Sequence, residues 1–350
     1  MFFYICKRLL LMIPTLFGVM VITFIITQFV PGGPVEKMIG EMEGLGGAGE
    51  VGSAASTLYR GDSGLDSEKL ERLKKLYGFD QPPVTRFYNM MRNYIAFDFG
   101  TSYYYHRSVV DLVISRMPVS MSLGLWSFFI VYGVCIPLGI KKAVTEGSRF
   151  DVISSTIILV GYAIPGFVLG VLLIVLFGGG SFWSIFPLRG LVSDGWGDMS
   201  LGMKLLDYLW HMVLPITASA VGSLAVMTML TKNSFLEEIR KQYVLTARAK
   251  GLSERTVLYK HVFRNGIIPI ITGFPGYFIA SFFTGSLLIE TIFSLDGMGL
   301  LAYQSVLNRD YPVVLGTLYC FTIIGLISRL LSDLSYVVVD PRISFEAIDE

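Results

Sequence analysis

Charge is scarce in this chain: Asp, Glu, Lys and Arg together make up 16% of its 350 residues. Basic and acidic residues nearly balance, 28 against 27, for a net charge of +1. That balance leaves no electrostatic footprint for nucleic acid, and no basic stretch interleaved with stacking aromatics is present. Cysteine is nearly absent. Cys6, Cys135 and Cys320 lie in or beside separate apolar segments, with neither metal-ligand spacing nor an evident disulfide partner, so they read as ordinary apolar packing. The three histidines, His106, His211 and His261, are isolated in sequence. No Gly-x-x-x-x-Gly-Lys run occurs, so the chain has no phosphate-cradling loop of its own and is not expected to be an enzyme that hydrolyses a nucleotide. The apolar runs contain no paired carboxylates, no charge relay and no serine with a plausible base. Ionisable groups inside a bilayer usually mark ion paths, so their scarcity argues against proton-coupled transport and intramembrane proteolysis.

What the chain has in quantity is apolar surface: 53% of its residues are apolar, with a mean hydropathy of +0.61, the composition of a membrane protein. Six runs are long enough to cross a bilayer, which takes about 20 apolar residues. They are Leu9 to Val30, Val119 to Ile140, Val152 to Phe177, Trp210 to Leu230, Ile267 to Ile289 and Val313 to Leu331. Lys7 and Arg8 before the first run imitate a signal peptide. The run is too long for one, however, and Pro31-Gly32-Gly33-Pro34 follows in place of a small-residue cleavage site, so a retained span is expected. Pro165-Gly166 interrupts the third run. A proline there frees a backbone carbonyl, tolerable only against protein or a wet cavity. Tyr162, Pro165 and Phe167 are therefore candidates for the wall of a pathway, with a kink that serves packing as the competing reading.

Between the first two runs, Glu36 to Met117 is long and polar. Glycine supplies 8 of the 25 residues from Gly40 to Gly64, the composition of a flexible insertion. Helical patterns follow. Asp66 caps one that carries Leu70, Leu73, Leu76 and Tyr77 and stops at Gly78; another starts after Pro82-Pro83 and carries Phe87, Tyr88, Met91, Tyr94 and Ile95. This loop holds ten basic residues. Loops longer than about 60 residues translocate largely regardless of charge, so it is expected outside.

Lys232 to Arg264 is the opposite case. It carries eight basic residues: Lys232, Arg240, Lys241, Arg248, Lys250, Arg255, Lys260 and Arg264. At about 2.5 kcal/mol or more per cation at the bilayer centre, the sum near 20 kcal/mol forbids this stretch from spanning, and the positive-inside tendency puts it in the cytoplasm. Phe235, Leu236, Ile239 and Tyr243 recur at helical spacing, with Glu237 four residues before Lys241. Gly251 suits the left-handed stop of a helix. Ser253 caps a second helix with Glu254 in its first turn, and Val257, Leu258, His261 and Val262 give that helix an apolar stripe. The expected structure is helix, glycine turn, helix, projecting from the membrane.

Quoted as it stands, the run is Tyr243, then Thr246-Ala247-Arg248-Ala249-Lys250-Gly251-Leu252, then Lys260, His261, Arg264, Asn265 and Pro269. It resembles the cytoplasmic coupling loop of ATP-binding-cassette (ABC) importer permeases, in the version found in the peptide and nickel family. The broader importer motif has Glu-Ala-Ala before its glycine. Aligned on Gly251, Leu245 stands at the Glu position and Thr246 at the first Ala, so that motif is degenerate here. Tyr77-Gly78-Phe79-Asp80 through Ser102, the turn Phe293, Gly297 and Gly299, Arg309-Asp310-Tyr311-Pro312, and the ending Asp333, Tyr336 and Asp340-Pro341-Arg342 extend the resemblance over nearly the whole chain. Asp296 stands where the family usually has proline, Arg329 where asparagine is usual, and the glycine-rich insertion is long; all three resemble the subgroup of the microcin C uptake system.

The resemblance implies an all-α membrane protein with the six transmembrane helices of the type I ABC importer permease fold and a large helical extracytoplasmic loop after the first span. It divides the chain into a cytoplasmic start and first helix (1–30), the extracytoplasmic loop (31–118), a permease core (119–335) containing the coupling loop (232–266), and a cytoplasmic tail (336–350). It implies an inner-membrane, multi-pass subunit with both termini cytoplasmic, working in ATP-driven import of peptides. The implied partners are a homologous second permease, two ABC ATPase subunits or a tandem ATPase, an extracytoplasmic solute-binding protein, the peptide and the bilayer. No cofactor is expected on this chain; the resemblance puts ATP on partner subunits. Thr246, Ala247, Arg248, Ala249, Lys250, Gly251 and Leu252 are the implied docking residues, Ala247 and Gly251 through close approach, Arg248 and Lys250 through acidic groups on the partner. A nickel or dipeptide permease is the alternative within the family, and a secondary transporter or channel the alternative outside it.

Overall fold

The computed structural model describes residues 2–29, 80–179, 182–283 and 286–339. The glycine-rich insertion, the helix expected after Asp66 and the ending Asp340-Pro341-Arg342 lie outside the described residues. Among those residues the chain is helical, with one isolated bridge between Thr101 and Ser108. In order come α1 (Phe2–Phe29), α2 (Pro83–Ile95), α3 (Val109–Val144), α4 (Arg149–Ala163) and α5 (Gly166–Leu173). The long α6 (Leu201–Ile239) and short α7 (Gln242–Ala249) follow. Next is α8, which opens as Glu254–Thr256, widens to a π-helical turn over Val257–Val262 and closes as Phe263–Gly266. The rest are α9 (Ile268–Phe283), α10 (Leu287–Ile292), α11 (Met298–Leu307) and α12 (Tyr311–Val339).

Among the described residues four helices are long and apolar enough to cross a membrane: α1, α3, α6 and α12. A fifth span requires α4 and the α5 segment to be counted together, and they are bent by 92° at the break. The cause is local. Ile164 caps α4 in an extended conformation, and Pro165, whose ring fixes φ near −55°, starts α5 in a new direction. The run expected as a single fifth span is likewise divided, between the 16-residue α9 and α10. Helices α3 and α6 extend well beyond the runs expected to span. Pro137 and Pro215 are accommodated within them.

The chain forms two compact units. Met1–Leu9, Arg116–Leu301 and Ile323–Glu350 make the first; Leu10–Ser115 with Ala302–Thr322 makes the second. In the first, α3 and α6 run in the same direction and share three tiers of core. Leu123 packs with Met212, Leu214, Ile216 and Ala218, joined by Ile289 and Phe293. Val131 and Cys135 pack with Ala220. Ile140 and Ala143 pack with Phe235. Close approach depends on glycine. A Cβ on Gly139 would lie 2.5 Å from Thr231 Cβ, and one on Gly124 would overlap the Ser281 carbonyl of α9.

In the second unit, Phe87 of α2 sits edge-on to Phe17 and Phe24 of α1, and Tyr94, Phe97 and Phe99 surround Tyr319. Asp310, fully buried before α12, accepts from Ser102 Oγ at 2.5 Å and from the Tyr103 amide at 3.0 Å. One carboxylate thereby orders the turn that follows α2.

Candidate functional site

The basic stretch folds as helix, turn and helix, and departs from the sequence reading in its details. Helix α6 ends at Ile239, and Lys241 takes an extended conformation (φ −74°, ψ 150°). Tyr243 therefore belongs to α7 and does not continue the stripe of Phe235, Leu236 and Ile239. The break is held by side chains. Glu238, nearly buried, pairs with Lys241 and accepts from Tyr243 Oη at 2.7 Å, and Asn265 Nδ2 donates to the same phenol at 3.4 Å. Burial, then the Glu238 carboxylate, raise the Tyr243 pKa, which keeps the phenol a donor. Glu237 stands farther off, 3.8 Å from Lys241.

Helix α7 ends in a Schellman turn. Gly251 has φ +77°, its amide donates to the Arg248 carbonyl at 2.9 Å, and the Leu252 amide donates to the Ala247 carbonyl at 3.4 Å. Ser253 then caps α8, its Oγ accepting from the Thr256 amide at 3.3 Å. The widened turn of α8 changes the expected stripe: Val257 and Val262, five residues apart, are the fully buried pair. Ser234 Oγ donates to the Gly266 carbonyl at 2.7 Å and ties α8 back to α6.

The inward face of this elbow is part of the core. Val244, Ala247, Val257, Val262 and Ile267 form one apolar cluster with Ile140 and Ala143 of α3, Phe235 of α6 and Ile270 of α9. Ala247, expected to meet a partner, is 6% exposed and packs against the chain's own helices. The outward face consists of Thr246, Arg248, Ala249, Lys250, Gly251 and Leu252, with Leu245, not among the docking residues expected from the sequence, half exposed among them. Arg248 is engaged within the elbow: its guanidinium meets the Glu254 carboxylate at 2.9 and 3.0 Å. Lys250 has no such partner among the described residues. The face thus offers two leucines, small residues and a lysine on a rigid backing.

The other sequence candidates lie elsewhere. Tyr162 and Phe167 are 54% and 42% exposed and flank the 92° bend, with Pro165 exposed between them. At the far end of the first unit is a carboxylate whose environment the sequence did not suggest. Glu290, fully buried, accepts from Ser120 Oγ (3.0 Å), the Leu300 amide (2.7 Å) and the Ser286 amide (3.2 Å). The first turn of α11 rests on it. Asp296 pairs with Arg116 on the same turn.

Residues 135–345 match the family described as "Binding-protein-dependent transport system inner membrane component". A peptidoglycan transport system permease protein, YejB, of Agrobacterium fabrum is 56% identical over 360 aligned residues, covering 99% of each chain. An inner membrane ABC transporter permease protein, also YejB, of Escherichia coli O157:H7 is 53% identical, covering 98% of this chain and 99% of that one. The oligopeptide transport system permease protein AppB of Bacillus subtilis is 30% identical with the same coverage.

Proposed function

The chain belongs to the family of binding-protein-dependent transport system inner membrane components, and on that premise we propose that it is the membrane-spanning permease subunit of an ATP-driven importer of peptides. It is a multi-pass inner-membrane protein of the all-α type I importer permease class. A homologous second permease completes its pathway, two ABC ATPase subunits or a tandem ATPase dock below, and a solute-binding protein delivers peptide to the outer side. Both termini are cytoplasmic. Residues 31–118 form the outer loop subregion and 119–335 the permease core, with α9 and α10 together making the fifth of six crossings and α12 the sixth.

The observation that carries this reading is the elbow. Its inner face is continuous with the core of α3, α6 and α9, so force applied to α7 reaches those helices without passing through a flexible joint. Its outer face, Thr246, Arg248, Ala249, Lys250, Gly251 and Leu252 with Leu245, is the docking surface for the ATPase. Ala247 supports that surface from behind. Arg248, already neutralised by Glu254, shapes the face, and Lys250 is the cation available to an acidic group on the partner. Tyr162, Pro165 and Phe167 line the pathway at the bend.

The test joins topology to dependence on the motor. With Cys6, Cys135 and Cys320 replaced by serine, a Lys250→Cys variant is expected to react with a membrane-impermeant maleimide in inside-out vesicles and not in intact spheroplasts. Peptide uptake is expected to cease in a strain lacking the ATPases. Labelling from the outside, or uptake that persists without ATPases as in a secondary transporter or channel, refutes the reading.

A further inference from the structure

Asp151 stands at the start of α4, at the inner turn that joins α3 to α4, and it is 5% exposed. Two lysines from two other helices meet its carboxylate. Lys232 of α6 lies 2.8 Å from each oxygen, and Lys142 of α3 lies 3.1 Å from Oδ1. Lys142, fully buried, also donates to the Asp151 carbonyl at 2.9 Å and to Ser154 Oγ and Ser155 Oγ at 2.7 Å each. The turn itself closes on the same residue: the Gly147 amide donates to Oδ2 at 3.2 Å, and Ser148 Oγ accepts from the Asp151 amide at 3.2 Å. A second tie lies at the surface, where Arg240, the residue that ends α6, donates to both oxygens of Glu146 at 2.9 Å.

The placement of these ties is informative. Lys232 and Arg240 bracket the last two turns of α6, the segment from which the elbow hangs. Glu146 and Asp151 bracket the turn between α3 and α4. Helix α4 packs along α6 farther up, Gly161 against Val221, but at the inner end the apolar cluster that joins α3 to α6 through Ile140, Ala143 and Phe235 contains no residue of α4. A carboxylate shared by two cations in a nearly dry site is held in a narrow geometry, because each departure exposes a charge that has lost its water.

We propose that Asp151, with Lys232 and Lys142, is a positioning centre that makes the α3–α4 turn a second arm of the lever, so that movement of the elbow is passed to α4 and the bend at Pro165 as well as to α3 and α6. This rests on the reading of the elbow as the ATPase dock and adds residues outside that dock. Lys232 is the charged tie from α6 to the first turn of α4, added to the packing of the two helices farther up. Lys142 neutralises Asp151 from α3 and keeps the turn folded when Lys232 is absent. The Arg240–Glu146 pair is the exposed auxiliary tie.

The experiment uses the complete importer in nanodiscs and proteoliposomes: both permeases, the ATPases and the peptide-loaded binding protein. The variant Lys232→Met with Arg240→Ala cuts both ties from α6 while Lys142 still balances Asp151. It is expected to retain ATPases on co-purification and to hydrolyse ATP, yet to import about tenfold less peptide per ATP. Lys232→Arg with Arg240→Lys is expected to restore the ratio. Asp151→Asn, which leaves Lys142 buried without a counter-charge, serves as the stability reference and is expected to lower the melting temperature more than the double variant does. An unchanged ratio of peptide to ATP in the double variant overturns the proposal, as does a melting temperature that falls as far as in Asp151→Asn with loss of bound ATPase. Uptake by the wild-type permeases without ATPases would sink the parent reading instead, so the two failures are separable.

Discussion

Replacing Gly251 isolates the contribution of a single backbone conformation to the elbow. The residue has φ +77° and is exposed, and a Cβ built on it meets nothing within 4 Å. Gly251→Ala therefore introduces no clash; its cost is the left-handed conformation alone, about 1–2 kcal/mol for an L-residue. That shifts the population of the opened elbow by a factor of about 5–30. Trypsin reads this population, since Arg248, Lys250 and Arg255 are exposed but lie in folded backbone. Where opening is fast relative to cleavage, the rate follows the equilibrium, so the alanine variant should be cut about 5–30 times faster. Gly251→Asn should fall between the wild type and alanine, because asparagine visits the left-handed region more readily. Gly251→Pro cannot adopt the conformation, as its ring holds φ near −65°, and it also removes the amide that donates to Arg248. It should abolish uptake while the protein still inserts. Equal cleavage of alanine variant and wild type, together with uptake by the proline variant, would refute the argument that the Schellman turn orders the docking face.

Two further outcomes follow from burial. Ala247→Arg forces a long cation into the cluster of Val244, Val257 and Phe235 and should open the elbow, with loss of ATPase on co-purification and rapid tryptic cutting; retention of ATPase at the wild-type level would count against the assignment. Gly297→Ala places a methyl group within the space of the buried Glu290 carboxylate, and displacing one of that group's hydrogen bonds should cost about 1–3 kcal/mol, read as a lower melting temperature in detergent; no change would mean that the α10–α11 turn yields freely.

Much of the elbow was legible because its signals are local. Gly251 and Ser253 are read from the conformations that those residues favour, and both act as expected. The break at Arg240–Lys241 was not legible. Hydrophobic spacing carries Phe235 and Ile239 on to Tyr243 without interruption, and only the tertiary partners Glu238 and Asn265 fix Tyr243 in a second helix. The burial of Ala247 was not legible for a related reason: a small residue suits close approach to a partner and close approach within one chain equally well, and Ile140 and Phe235, which share its cluster, are remote in sequence. The apolar runs within α1, α3, α6 and α12 were read correctly as long enough to cross a membrane, yet run length hid the 92° turn between α4 and α5, because hydropathy is insensitive to backbone direction. The roles of Asp151 and Glu290 were not legible because each is a lone carboxylate at the edge of an apolar run, and its importance comes from donors that the fold assembles.

If the elbow docks the ATPase as proposed, Leu245 has a consequence for which motors this subunit accepts. It is half exposed, in the position where importers of the broader kind carry glutamate, so the elbow offers a hydrocarbon surface there and no negative charge. A compatible motor subunit must answer with an apolar recess; one that brings a cation to that spot would strand it without water or counter-ion. On that docking, Leu245→Glu is expected to favour motors that present a cation at this spot, read as ATPase recovered on co-purification; unchanged recovery would count against it.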